Sequence, residues 1–342
     1  MMTDTRHGSR RRDFRSPPAR QRGIAMLVAI LLVALGTIIA TAVAYESAMT
    51  ARRGAATLSF DDALLVSQGA EALAAYGLRT VMQMSKAGTS GTVDIYATQP
   101  WAEPVGPLEV VPGVTLEAQM EDMQGRFNLN WLVSDTAGAN LGKPDPVAVD
   151  AFKYLLQLVA VDPKWSDMVV DWIDRDNQPQ TQGAEDSAYL SQTPPYLAAN
   201  QYITSITELL ALPGFGRDNY EKLAPYISAL PPDSKLNICT AKDKVLDAFD
   251  VGTVTWSSDP NALQKNRASA PGCFPTMQVY QTSFSDQTKY QAAQGKFQTT
   301  SKYFRLSSLV TIGTAEFNLY SLLYLDSNGY FIHPIQRTFS PD

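Results

Sequence analysis

The chain has 342 residues, with 28 Lys and Arg against 34 Asp and Glu, two histidines and two cysteines. This length allows two compact units, since a domain usually spans about 100–200 residues. A hydrophobic fraction of 45% supports real cores, and a charged fraction of 18% excludes disorder by composition. Because a structural zinc site usually takes four Cys or His ligands, the composition nearly excludes zinc and leaves little for imidazole catalysis.

The formal charge of −6 combines two very different segments. Residues 1–23 carry seven arginines against Asp4 and Asp13, a net charge of +5. From Ile24 onward the chain carries 21 basic and 32 acidic groups, a net charge of −11. The basic excess is therefore confined to the segment before Ile24.

An uncharged run of 22 residues, 24–45, follows the basic segment. As a helix it would be about 33 Å long, which matches a hydrocarbon core of ~30 Å. Arginines before this run place the N-terminus in the cytoplasm and the acidic bulk outside it. A secretory signal peptide is the alternative, but the run is longer than an h-region and no clear small-x-small site follows it. Residues 46–79 continue in helical period, which predicts one helix of roughly 50 residues, half in lipid and half in water.

The junction between the leader and the apolar run resembles a type IV prepilin leader. Arg20-Gln21-Arg22-Gly23 is followed directly by Ile24 and the apolar residues after it. The resemblance implies cleavage by a prepilin peptidase between Gly23 and Ile24, and methylation of the new N-terminus. Glycine suits such a site because it lets the protease approach the backbone closely.

Most members of the pilin family have Glu at the fifth mature position, where this chain has Val28. In the family that carboxylate is thought to pair with the N-terminal amine of the subunit ahead. An unpaired charge in lipid or in a packed helical core costs several kcal/mol, so a subunit with no neighbour ahead is better without it. The resemblance therefore narrows to the GspK family, the tip pseudopilins of type II secretion systems.

The rest of the chain reads as strands interrupted by a helical segment. Residues 114–122 and 126–133 predict a hairpin joined at 123–125, residues 145–230 are mostly helical in period, and residues 236–240 return to strand character. Residues 241–249 predict a short helix, and the polar residues 251–300 predict a loop. Three strand-like runs follow, with a turn at 326–329 between the last two.

This order predicts an α+β fold of the type IV pilin-like class, a long N-terminal helix packed on an antiparallel sheet, with a large inserted all-helical domain. The predicted parts are a leader, 1–23; a transmembrane helix, 24–45; the aqueous half of that helix with the first strands, 46–140; the inserted helical domain, 141–235; and the remaining strands, 236–342.

The densest polar cluster lies in residues 171–186 and contains four aspartates and a glutamate. Alternate oxygen-bearing side chains on a loop suit a hard divalent cation, although the glycine and glutamate of an EF-hand loop are missing. Solvated acids at a helix end are the alternative. The stretch also resembles the corresponding part of GspK, which implies Ca²⁺ as a structural cofactor. The predicted ligands are Asp174, Asp176, Glu185 and Asp186, with Asp171 and Gln178 as weaker candidates.

Three further features carry weaker signals. Residues 212–216, Leu-Pro-Gly-Phe-Gly, resemble the hairpin of a helix-hairpin-helix DNA-binding module, but a chain at −11 would be repelled by a polyanion, so a tight turn between helices is the better interpretation. Cys239 and Cys273 are predicted to form a disulfide in an oxidising compartment, with two buried free thiols as the alternative. His333 has no catalytic companion in sequence and is interpreted as structural.

The resemblance implies a non-enzymatic subunit of the inner membrane that caps or initiates the type II secretion pseudopilus. Implied partners are GspI, GspJ, the major pseudopilin and prepilin peptidase, with GspH, the secretin and secreted substrates as further candidates; no nucleic acid is expected. A large minor pilin of a type IV pilus or competence system is the first alternative. A membrane-anchored periplasmic enzyme is the second.

Overall fold

The computed structural model describes residues 22–86, 93–135, 141–268, 272–326 and 331–340, so most of the predicted leader and part of the 326–329 turn lie outside it. Contacts divide the chain into two units, residues up to Phe60 and residues from Asp61 onward. The helices are α1 Arg22–Lys86, α2 Pro146–Leu158, α3 Trp165–Ile173, α4 Asp186–Leu190, α5 Gly216–Leu223, α6 Asp243–Ala248, α7 Pro260–Ala268, α8 Met277–Thr282 and α9 Gln287–Ala293. The strands are β1 Val105–Val111, β2 Val114–Asp122, β3 Phe127–Asn128, β4 Ile227–Ser228, β5 Leu236–Asn237, β6 Phe297–Gln298, β7 Tyr303–Ile312, β8 Ala315–Leu325 and β9 Ile332–Thr338.

The first unit consists of the N-terminal part of α1. This helix is 65 residues long, somewhat longer than the sequence predicts, and no proline interrupts it. It is long and apolar enough to cross a membrane, with a mean hydropathy of 2.7 over its most apolar window, none of which is buried. An exposed apolar surface of this length fits a single-pass membrane anchor.

The second unit contains a five-stranded antiparallel sheet in the order β1-β2-β7-β8-β9. Side chains on β7 and β8 alternate between buried and half-buried, as expected for strands with one face on a core. That face packs on the part of α1 after Phe60, where Ala63 and Ala70 are small enough for close approach and Leu78 fills the core. The three predicted C-terminal strands are therefore confirmed.

One buried carboxylate joins α1 to the far edge of this sheet. Glu71 of α1 accepts hydrogen bonds from the Ser321 hydroxyl at 2.6 Å and from two nitrogens of the Arg337 guanidinium at 2.7 and 2.8 Å. Because Glu71 is only 6% exposed, these bonds supply the partners that a buried charge requires. They connect α1 to β8 and β9.

A helical body lies between β2 and β7 in the sequence and has its own core. Phe127, Phe152, Leu155 and Leu209 are fully buried in it. The core continues well past the boundary expected near residue 235, because side chains from α6 onward, Tyr280 among them, belong to the same cluster. Two short parallel pairs, β3 with β4 and β5 with β6, hold its segments together.

The prediction of a loop over residues 251–300 is wrong. This stretch contains α7, α8 and α9, and an aromatic cluster joins Phe274, Tyr280, Phe284, Tyr290 and Phe297 through ring-to-ring distances of 5.2–6.1 Å. A few aromatic rings at wide spacing bury enough surface to order a polar segment.

The predicted hairpin between residues 114–122 and 126–133 is also wrong. β2 pairs with β1 and β7, whereas Phe127 and Asn128 pair in parallel with β4. The alternating asparagines of this segment are buried and bonded to main chain. Asn128 bonds Leu230 and Pro231, and Asn130 bonds Ile203 and Leu230. The alternation of polar and apolar residues in this segment therefore arises because the asparagine side chains bind the main chain of other segments, and not because one face of a strand meets solvent.

Candidate metal centre

The acidic cluster lies where α3 ends. All residues of α3 except Met168 are buried, and the backbone turns to an extended conformation at Asp174, whose N–H closes the last turn on the Val170 carbonyl at 2.8 Å. A loop over residues 175–185 follows and leads into α4. The buried helix therefore carries Asp171 and Asp174 into the interior, although carboxylates are seldom fully buried without partners.

Asp171 organises the loop. Its two carboxylate oxygens accept from the Gln180 N–H, each at 3.1 Å, and a Cβ at Gly183 would overlap the carboxylate. Asp167, one turn earlier on α3, accepts from the Gln182 N–H at 3.2 Å and pairs with Lys153 at 2.8 Å. These bonds bring the end of the loop back to α3.

The folded loop brings three carboxylates together. Asp174, Asp176 and Glu185 each offer an oxygen, and these oxygens lie within 4.8 Å of one another. Asp174 and Glu185 are buried, and within the described residues all four of their carboxylate oxygens lack a hydrogen-bond partner. Buried acceptors without donors are costly, so this group has the features of a cation site.

The electrostatics of the group agree with that description. Burial, and then the charge of Asp176 and its acidic neighbours, raises the pKa of Asp174 to about 7. Burial, followed by the charges of Asp171 and Asp176, raises the pKa of Glu185 to about 7 as well. A cation among these groups would favour their ionised forms and remove the repulsion between them.

The donor set suits calcium. It consists of carboxylate oxygens, and Ca²⁺ takes six to eight oxygen ligands, including bidentate carboxylates, carbonyls and waters. Asp174, Asp176 and Glu185 would hold the ion. Bound there, it would supply positive charge that joins the end of α3 to the residue preceding α4.

The other predicted ligands have different surroundings. Asp186 begins α4, and its Oδ1 accepts from the Ala198 N–H at 3.0 Å. Asp171 is engaged with the loop backbone, and Gln178 donates its own N–H to Asp176 at 2.8 Å. The sequence interpretation missed the scaffolding role of Asp167, Asp171 and Gly183; the glycine just before the second acidic pair was the available signal.

We expect Gly183→Ala to destabilise the loop by about 1–3 kcal/mol, because the added methyl group must displace the Asp171 carboxylate. Chemical denaturation followed by tryptophan fluorescence measures the effect. Gly295→Ala is the matched control, since a Cβ there meets nothing within 4 Å. Equal stabilities of the two variants would contradict the role assigned to Gly183.

The remaining predicted positions are as follows. Gly23 and Ile24 lie at the start of α1, and Val28 is exposed on it. Cys239 and Cys273, both buried, form a disulfide with a Cα–Cα distance of 4.5 Å. Gly214, in the turn before α5, and Gly216, the first residue of α5, have positive φ of 83° and 73°, a conformation that favours glycine. His333 lies in β9 with its ring against Tyr324.

Comparisons with known proteins agree with this architecture. The family model described as "Type II secretion system (T2SS), protein K" matches residues 125–232, which lie in the N-terminal part of the helical body. The type II secretion system protein K of Pseudomonas aeruginosa is 31% identical over 90% of both chains, and that of Pectobacterium carotovorum is 28% identical over 94% of this chain and 97% of its own.

A chain in the crystal structure of the GspK-GspI-GspJ complex from enterotoxigenic Escherichia coli has a similar fold. It aligns with a TM-score of 0.70 and 22% identity, over 85% of this chain and 100% of its own length. The helix, the antiparallel sheet and the helical insertion therefore form a pilin-like fold. With relatives more than 30% identical over most of both chains, this chain belongs to the type II secretion system protein K family.

Proposed function

We propose that this chain is the tip subunit of a type II secretion pseudopilus, which initiates or caps the filament with other minor pseudopilins for export of folded proteins across the outer membrane. The main support for this proposal is the helical body inserted between β2 and β7. It occupies more than half of the chain and is too bulky to repeat at every step of a helical filament. A position at the end of the filament removes that steric limit. The role that we propose is structural and not enzymatic.

Val28 supports the same position. The family's usual glutamate would need the amine of a subunit ahead, and a chain at the end of a filament has none. An apolar residue there leaves no unpaired charge among packed helices or in lipid.

The proposed topology is a single pass through the inner membrane, with the N-terminus in the cytoplasm and the bulk in the periplasm. The arginines before α1's apolar segment support this orientation. Prepilin peptidase would cut between Gly23 and Ile24, which removes the +5 leader and leaves an acidic mature chain. Nucleic acid is not a proposed partner, because that mature chain carries a net charge of −11.

We expect Gly23→Val to retain residues 1–23 when the chain is made together with a prepilin peptidase, since the branched side chain hinders close approach of the protease to the backbone. Intact-mass spectrometry measures the change, and the unmodified chain should begin at a methylated Ile24. Gly36→Val, within the apolar segment, is the control and should still be cut. An unmodified chain that keeps its leader would contradict the proposal.

Assembly is tested with the neighbouring subunits. We expect the full chain in detergent to co-purify with the GspI and GspJ proteins of the same secretion system, since a chain of similar fold belongs to a solved GspK-GspI-GspJ complex. GspH and the major pseudopilin are the further candidates. Elution of this chain separately from both GspI and GspJ at micromolar concentration would count against the tip position.

We also propose that Asp174, Asp176 and Glu185 hold a structural calcium ion. The partnerless buried oxygens of Asp174 and Glu185, taken over the residues described, support it. Native mass spectrometry in millimolar Ca²⁺ tests occupancy.

A further inference from the structure

An adjacent pair of arginines lies on α1 shortly after its apolar run. Arg52 and Arg53 are both exposed, and within the part of the chain that the structure describes neither has an ion pair or a side-chain hydrogen bond. Between Ile24 and Arg52 the chain has no other basic residue, and Glu46 is the only acidic one. Once the leader is removed, the arginine pair therefore carries the first positive side chains along the helix.

Helix geometry fixes the distance of the arginine pair from the apolar run. α1 is continuous from Arg22 to Lys86, so the α-carbons of Arg52 and Arg53 lie about 10–12 Å beyond that of Tyr45, the last residue of the run. With a hydrocarbon core of about 30 Å in a bilayer of about 40–45 Å, each headgroup layer is about 5–8 Å thick. The two α-carbons are therefore just outside this layer when the apolar run spans the core.

The side chains of the arginine pair point back towards the bilayer. In an α-helix each Cα–Cβ bond is tilted towards the N-terminus, and a long side chain covers the turn that precedes its own α-carbon. The membrane segment lies on the N-terminal side of the pair, and one turn is about 5.4 Å. Each guanidinium group is therefore about 5–7 Å beyond the apolar run, which is within the headgroup layer.

Phospholipid headgroups supply the anion that suits these side chains. A guanidinium group binds phosphate through two parallel N–H···O bonds, and each Lys or Arg near an anionic surface adds to the attraction. Glu46 lies at the edge of the apolar run and repels phosphate, but one acidic group against two basic ones leaves a net charge of +1. The next acidic residues, Asp61 and Asp62, follow more than two helical turns later.

The arginine pair also makes movement of the helix across the membrane unequal in its two directions. Movement towards the cytoplasm would carry both charges into the hydrocarbon core, where a charged side chain is costly. Movement towards the periplasm would carry them from the headgroups into water, which solvates them. The pair therefore opposes inward movement more strongly than outward movement.

We propose that Arg52 and Arg53 bind phospholipid phosphates at the periplasmic surface of the inner membrane and so oppose movement of the mature helix towards the cytoplasm. The proposal rests on the topology proposed above, which protease treatment of spheroplasts tests separately. In a reconstituted bilayer the arginine pair meets the headgroups of one leaflet whichever way the chain inserts. Failure of the phosphate contact can therefore be distinguished from failure of the topology.

Solid-state NMR tests the contact, using the full chain produced with prepilin peptidase and reconstituted in vesicles of phosphatidylethanolamine and phosphatidylglycerol in phosphate-free buffer. Carbon–phosphorus dipolar coupling measures how much of the guanidinium carbon signal lies close to lipid phosphorus. We expect Arg52→Gln/Arg53→Gln to lower the coupled signal by the share of two arginines. The matched control is Arg175→Gln/Arg217→Gln, which removes two exposed arginines of the helical body and should leave the coupled signal unchanged.

Equal losses in these two double variants, or no coupled signal in the unmodified chain, would overturn the phosphate contact. Loss of the coupling when inorganic phosphate is added would also overturn it, because the pair would then bind any phosphate and not the membrane.

The position of the helix is measured with Tyr45→Trp and lipids brominated near the bilayer centre, after the signal of the native tryptophans is subtracted. In the Arg52→Gln/Arg53→Gln variant residues 47–60 carry no charge, so we expect the helix to move inward and the quenching to increase. Arg52→Lys/Arg53→Lys should keep the original depth, because an ammonium is also excluded from hydrocarbon. An unchanged depth in the glutamine variant would overturn the role in positioning.

Discussion

In an excess of Ca²⁺ we expect the helical body to unfold with a free energy about 4 kcal/mol larger than in chelator, the gain when free ligand stands 1,000-fold above its dissociation constant. The ion would offset the repulsion among Asp174, Asp176 and Glu185 and give their buried oxygens a partner. Chemical denaturation followed by tryptophan fluorescence measures the difference, since Trp172 lies on α3 beside these acids.

The matched variants are Asp174→Asn and Asp218→Asn, which each remove one negative charge. Asp218 is an exposed residue of α5 outside the acidic group. We expect Asp174→Asn to abolish most of the calcium response and Asp218→Asn to keep it. A full response in the Asp174→Asn variant would place the ion elsewhere.

The stabilisation by calcium, measured as the difference in unfolding free energy between excess Ca²⁺ and chelator, should increase with pH. Burial raises the pKa of Asp174 from 3.8 to about 7 in the folded chain, so folding favours the protonated group. In chelator, the stability from this group is therefore complete below about pH 4 and is lost as the pH rises through about 7. Because calcium binds the ionised carboxylates, its effect is smaller near pH 5 than near pH 8. The reverse order would contradict the assignment.

Loss of the disulfide should lower the free energy of unfolding by about as much as loss of calcium does. Cys239 and Cys273 are 34 residues apart, and closing a loop of that length contributes about 4 kcal/mol in the chain-entropy model. We expect the Cys239→Ala/Cys273→Ala double variant to lose about that much free energy of unfolding, measured by denaturation under oxidising conditions.

Reduction of the unmodified chain separates the bridge from the packing of the two side chains. A reductant should destabilise the unmodified chain and leave the double variant unchanged. If reduction changed the unfolding free energy by less than about 1 kcal/mol, the bridge would not be constraining the unfolded chain.

The elements that could be predicted from sequence are those whose side chains follow one period. In β7, Phe304, Leu306 and Val310 alternate with half-buried residues because one face packs on α1. The apolar run of α1 was equally clear. Where side chains bind backbone instead, as Asn128 and Asn130 do, the alternation has a different cause and the strand prediction failed.

The acidic group was predicted in part. The sequence predicted Asp174, Asp176, Glu185 and Asp186 as ligands, with Asp171 and Gln178 as weaker candidates, and the structure brings oxygens of the first three within 4.8 Å of one another. Sequence could not separate Asp186 from these three, because that difference depends on which backbone N–H groups the folded loop directs at each carboxylate. Asp171 meets the Gln180 N–H and Asp186 meets that of Ala198, contacts between residues nine and twelve positions apart.

The register of β2 against β7 places Asp122 directly opposite Phe304. The chain therefore leaves the sheet after Asp122 and returns to it at the paired position on β7, and the whole helical body lies between these two points in the sequence. A two-residue turn in place of that body would close β2 and β7 as an ordinary hairpin and alter no pair of the ladder. The ladder pairs therefore make no demand on the length of the inserted body, and the body is held to the sheet at this point by side chains, with Asn237, Thr240 and Ser301 all donating to Asp122.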